Sequence, residues 1–144
     1  MSRTSLFFRV EGRPAPQGSK NAYVRGGRPI MVEASKYLPE WREAVMLAAK
    51  LAMHDDLDYT PFDKPVRLVV SFFIDRPSKP VHEFYPGSKP DLDHLIRAVG
   101  DSLTQSGVLV DDSLIVEVAA RKLWTGSTTD TYPKPGASVL VELI

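Results

Sequence analysis

Polar and apolar residues alternate through "SLFFRVE", which predicts a first strand from Ser5 to Glu11. "RPAPQGSKN" has the proline and glycine content of a turn. In "AYVRGGRPIMVE", two short runs flank Gly26 and Gly27 and predict a hairpin, Ala22 to Arg25 with Pro29 to Val32. The period then changes. Leu38, Trp41, Val45, Ala48, Ala49 and Ala52 recur at helical spacing, so a helix is expected from about Lys36 to Met53, with Ser35 as its cap. After the polar connection "DDLDYTPFDKP", Val66, Leu68, Val70, Phe72 and Ile74 fall on one face of a strand. Residues 76 to 90 hold four prolines and a glycine, which reads as a mobile surface loop. Leu92, Leu95, Ile96, Val99 and Leu103 then form a helical stripe, closed by Gly107 at a C-cap. "SLIVEVAARKLW" predicts a strand with Leu114, Val116, Val118 and Ala120 on one side, and "ASVLVELI" predicts a last one after the loop "TGSTTDTYPKPG". The order β-β-β-α-β-α-β-β describes an α+β fold: a single small domain over residues 1–144, with a mixed sheet and two main helices packed on it.

Composition changes this picture little. A chain of 144 residues, 43% hydrophobic and 25% charged, is long enough to bury one core. It has no cysteine, which excludes a disulfide scaffold and thiolate metal ligands. No apolar run approaches a bilayer span and "MSRTSLFFRVEG" is too polar for a signal peptide, so a cytoplasmic protein without a membrane partner is expected.

Charge changes it more. The formal net charge is zero, yet residues 1–36 carry seven Lys or Arg against Glu11 and Glu33. Residues 91–112 carry five aspartates, Asp91, Asp93, Asp101, Asp111 and Asp112, against Arg97. A basic arm beside an acidic knot suits a polyanion and a divalent cation held together, and solvated surface explains either segment taken alone. Each aspartate also has a structural account. Asp91 after Pro90 is placed as a helix N-cap, Asp93 benefits from the helix dipole, Asp93–Arg97–Asp101 forms an i, i+4 ladder, and Asp111–Asp112 ends a loop. These accounts leave the density of charge unexplained. Carboxylates are what Mg²⁺ selects, and Mn²⁺ is a plausible substitute. Asp91 and Asp93 converge only if one lies off the regular helix, since two helical residues span about 200°. Asp112 joins them if the connection after the helix returns to the same end.

The stretch "KPDLDHLIRAVGDSLTQSGVLVDDSLIVEVAARK" resembles the signature segment of the RusA-type Holliday junction resolvases, small dimeric endonucleases common in phages and prophages. Asp91, Asp93, Leu95, Arg97, Asp101, Gly107, Asp111 and Asp112 stand at that family's spacing without a gap, and "GRPAPQGSKNAYVRGGRPIMVEASKYLPEWREAV" is similar to its opening. Two positions depart from the pattern: His94 stands where the family usually has Asn, and Arg97 where it often has Lys. The resemblance implies a RusA-like fold and resolution of branched, four-way DNA in recombination and repair. It also implies a homodimer, with Asp91, Asp93 and Asp112 as metal-binding catalytic carboxylates and Asp111 their neighbour. Arg97 is expected to steady the scissile phosphate, His94 to sit outside the ligand set, and Lys20, Arg25, Arg28 and Lys89 to contact DNA phosphates. Phe7, Val10, Val139 and Leu143 are the residues expected to supply a dimer edge. The competing expectations are a non-catalytic branched-DNA-binding module of the same fold, and a metal-binding structural or interaction protein.

Overall fold

Three strands put alternate side chains into one set of rows, and those rows are the floor of the core. In the computed structural model, which describes residues 3–18, 21–25, 28–32, 35–126 and 133–144, the elements are β1 (Ser5–Glu11), β2 (Asn21–Arg25), β3 (Arg28–Val32), α1 (Leu38–His54), β4 (Val66–Ile74), α2 (Leu92–Ser106), a 3-10 turn (Asp112–Leu114), β5 (Ile115–Trp124) and β6 (Gly136–Leu143). A four-stranded sheet has the order β1-β6-β4-β5, with only the β4–β5 pair parallel. The expected mixed sheet is therefore present, while β2 and β3 form a separate two-stranded sheet. The register aligns Leu6 with Val141 and Leu68, Phe8 with Val139 and Val70, and Val10 with Ala137 and Phe72. All nine are buried and meet Trp41, Val45 and Ala49 of α1 and Leu95, Ala98, Val99 and Leu103 of α2. Full burial of each large side chain contributes roughly 1.5–3 kcal/mol, so these rows are the main driving force for the fold.

Burial corrects three expectations. Val10 and Val139 lie inside the core, so of the residues expected at a dimer edge only Phe7, 55% exposed, stands on the open face of the sheet. In β5, Leu114 belongs to the 3-10 turn, and the register slips between Val66 and Arg67 so that Val116 has no partner on β4. The single stripe Leu114, Val116, Val118 and Ala120 is thereby broken; a bulge shifts the phase of everything before it. Helix α1 begins at Leu38 rather than Lys36, with Tyr37 at the N-cap: the Ser35 hydroxyl accepts the Tyr37 amide and its carbonyl the Leu38 amide in a preceding turn, so Ser35 does not cap the helix.

The 76–90 connection has no helix or strand, as expected, but its path is tied down. Lys122 extends the row of Val10, Ala137 and Phe72 onto the edge strand. Its ammonium donates to the carbonyls of Ser88 (2.8 Å) and Pro90 (2.9 Å). Trp124 donates its indole N–H to His82 O at 3.1 Å. These bonds hold the approach to α2 against β5. At the other end of α2, Gly107 takes the left-handed conformation (φ 87°) that closes the helix. Phe62 then pins the returning chain through bonds to Val108 O and from the Val110 amide.

Candidate active site

Pro90 ends the 76–90 connection, and Asp91, itself extended, is the first residue to serve α2. It stands at the N-cap (φ −71°, ψ 137°), yet its carboxylate makes no cap bond; only its backbone carbonyl enters the helix, accepting from the Leu95 amide at 3.1 Å. An N-cap aspartate ordinarily spends its oxygens on the first free amides. Here the carboxylate turns outward to Lys89, whose Nζ lies 2.9 and 3.0 Å from its two oxygens. That ammonium holds the Asp91 carboxyl below its ordinary pKa.

Because Asp91 is off the helix and Asp93 is on its first turn, the two carboxylates converge instead of diverging by the angle a continuous helix would impose. His94 completes the set: its Nδ1 is 3.9 Å from Asp91 Oδ2 and its Nε2 3.8 Å from Asp93 Oδ2. One ligand atom from each of Asp91, Asp93 and His94 lies within 4.8 Å of the others, and among the described residues no other three such groups meet as closely. Two carboxylate oxygens and an imidazole nitrogen fit a divalent cation, with water or phosphate left to complete its shell. His94 is the member that sequence reasoning placed outside the ligand set; its position three residues after Asp91 was the available signal.

Asp112 is not brought into this set. The chain pinned at Phe62 returns beside the middle of α2, where a Cβ on Gly100 would meet Asp112 Cβ at 3.9 Å. Gly100 is seven helical residues beyond Asp93, about 10 Å along the axis. The expected return to the same end is thus only partial. Asp112 instead faces Asp101, and burial, with the negative charges of Asp111 and Asp101 next, pushes its carboxyl pKa upward. Asp111 caps the 3-10 turn by accepting from the Ser113 amide at 3.0 Å, and the Ser113 side chain and amide hold its pKa down. Arg97 is exposed on α2, one turn past Asp93 and on the flank leading to Asp101 and Asp112.

Two further residues organise the site from elsewhere in the sequence. Gln17 donates its side-chain amide to Asp101 and its backbone N–H to His94 O at 3.0 Å, docking the N-terminal segment along α2. Lys122 pins Pro90, and its partial burial lowers its own pKa. Lys20 lies outside the described residues. So do the side chains of Arg25 and Arg28, whose backbones pair opposite each other in β2 and β3.

The small α+β scaffold thus gathers two carboxylates and an imidazole that could hold a divalent cation, with Lys89 and Arg97 nearby on the chain. The family follows from comparison: a family model described as endodeoxyribonuclease RusA matches residues 11–132, and the chain belongs to that family. Comparison with curated proteins finds no match. Among the described residues no helix is long and apolar enough to cross a membrane.

Proposed function

We propose that the chain is a Mg²⁺-dependent, structure-selective endodeoxyribonuclease that resolves four-way DNA junctions by paired phosphodiester hydrolysis, with Mn²⁺ able to replace Mg²⁺. The observation that carries this reading is the Asp91 carboxylate, released from helix capping and grouped with Asp93 and His94. A divalent cation held there stabilises charge developing on the phosphate and lowers the pKa of an attacking water. Asp91 and Asp93 anchor it through oxygen and His94 through nitrogen. Arg97 positions the scissile phosphate with a fixed positive charge. Asp112, with Asp111 beside it, belongs to the catalytic set through the family pattern; joining the cation requires the 3-10 turn to move toward the start of α2. Lys20, Arg25, Arg28 and Lys89 neutralise phosphates without reading sequence.

A four-way junction has near-twofold symmetry and needs two matched cuts. A C₂ dimer presents two equivalent sites to opposed strands, so the active species in this reading is the dimer. The test is cleavage of a synthetic four-way junction beside a linear duplex of the same sequence, with Mg²⁺, with Mn²⁺ and with EDTA. Paired nicks in the junction alone, abolished by EDTA, are expected. Equal cutting of the duplex removes the structural selectivity, and cutting in EDTA removes the cation. Binding without cleavage in every metal leaves the non-catalytic DNA-binding module.

A further inference from the structure

Cations that the carboxylate cluster does not use line a groove beside it. Two shallow depressions, of about 300 Å³ and about 470 Å³, share Arg13, Pro14, Lys89 and Pro90 and so form one continuous channel. The smaller also takes in Lys36 and Tyr37 at the start of α1, and no carboxylate lines it; the larger reaches Asp75 at its far end. Arg13 stacks over the Tyr37 ring at 3.9 Å from the centroid, and the Lys36 ammonium lies 5.1 Å from the same centroid. Neither cation has an ion-pair partner among the described residues. Like charges gathered on one wall repel one another, and an anionic occupant relieves that repulsion. The proline walls offer no N–H, which leaves recognition to the side chains. Tyr37, the N-cap of α1, makes no side-chain cap bond, and the dipole of that helix adds charge of the same sign.

We propose that this channel is a strand-binding subsite that takes the phosphates flanking the one to be cut, with Arg13 and Lys36 as its principal contacts. It is continuous with the cluster through Lys89, which lines the channel while bonded to both oxygens of Asp91. Were Asp91 to hold a cation, Lys89 would be available to the strand in the channel. The occupant is a phosphodiester backbone and not an acidic peptide, because the wall ends at carboxylates suited to a metal that itself binds phosphate. The inference rests on the nuclease reading above.

The experiment measures binding of a labelled four-way junction in Ca²⁺ across a salt series, with Mg²⁺ cleavage of the same junction by the wild type run separately. The variants are Arg13→Ala/Lys36→Ala, the conservative pair Arg13→Lys/Lys36→Arg, and a charge-matched control remote from the channel, Lys50→Ala/Lys64→Ala. Thermal melts confirm that each is folded. Loss of two phosphate contacts should lower the log–log salt slope by about 1.4–1.8, whether the strand is single or duplex. The conservative pair should keep the slope and the remote control should barely change it. If the wild type cuts the junction but the channel variant keeps its slope, the subsite is wrong and the nuclease reading survives. An equal fall in the remote control also overturns the subsite, since diffuse charge then explains the binding. A wild type that neither binds nor cuts DNA overturns both, and competition by polyglutamate but not by DNA would assign the channel to an acidic peptide.

Discussion

His94 contrasts most clearly with its sequence-based expectation. Where the family usually has an amide side chain, this chain places an imidazole within 4 Å of two carboxylates, at 3.9 and 3.8 Å. Imidazole nitrogen favours later transition metals, whereas Mg²⁺ is selective for oxygen. His94→Asn is therefore expected to weaken Ni²⁺ binding at least about tenfold, the scale on which even outer partners of metal ligands act, with Mg²⁺ binding little changed. Calorimetric titration of both ions checks this; equal losses for the two would take His94 out of the ligand set. The aspartates were legible as a group from their spacing, but their division was not. Asp91 and Asp93 are two residues apart, so the entry to one helix decides their geometry. Asp112 depends on where Phe62 holds the returning chain, a contact between residues 46 to 48 positions apart that no local pattern displays.

At the scale of elements, two glycines with opposite surroundings test the packing. A Cβ on Gly100, inside α2, would have Ile115 Cδ1 at 3.7 Å and Asp112 Cβ at 3.9 Å as its nearest neighbours, both ordinary contacts. Gly100→Ala should stabilise the fold by about 0.4–1 kcal/mol through the unfolded chain and helix propensity. A Cβ on Gly136, at the start of β6, would lie 2.1 Å from the Val10 carbonyl oxygen of β1. That obstacle is backbone, so Gly136→Ala should destabilise by about 1–3 kcal/mol or more. Chemical denaturation of both variants measures the contrast; the same sign for both would contradict the packing described. Strands β1 and β4 were legible because β1 keeps a two-residue period throughout and β4 keeps one from Val66 to Phe72. The start of β5 was not: the unpaired Val116 exists only relative to its neighbour β4, and "LIVEV" by itself keeps an apolar residue at every second position. The strand order β1-β6-β4-β5 was likewise hidden, since β6 inserts between strands far from it in sequence.

For the whole molecule, charge is spent in different ways at its different corners. Arg3 bonds Asp56 at 2.9 Å, joining the N-terminal segment to the end of α1, and this holds the Asp56 carboxyl below its ordinary pKa. A carboxyl with a depressed folded pKa contributes stability above its unfolded value, near pH 4, and loses it as pH falls through the folded value. Arg3→Ala should therefore lower the melting temperature at neutral pH and flatten its decline below about pH 4. Parallel acid-limb melts in wild type and variant would expose the claim as wrong. At the Asp91 corner two carboxylates and an imidazole lie within reach of one another, and Lys89 bonds both oxygens of Asp91. The Asp91 corner is either a metal-dependent cutting site, as proposed, or a solvated helix end. Single-turnover cleavage of a four-way junction in Mg²⁺ by Asp91→Asn, with binding followed in Ca²⁺, measures this most directly. Cleavage is predicted to fall to the level of wild type in EDTA while binding holds or tightens, because a repelling charge is gone; near-wild-type cleavage by Asp91→Asn would contradict the account.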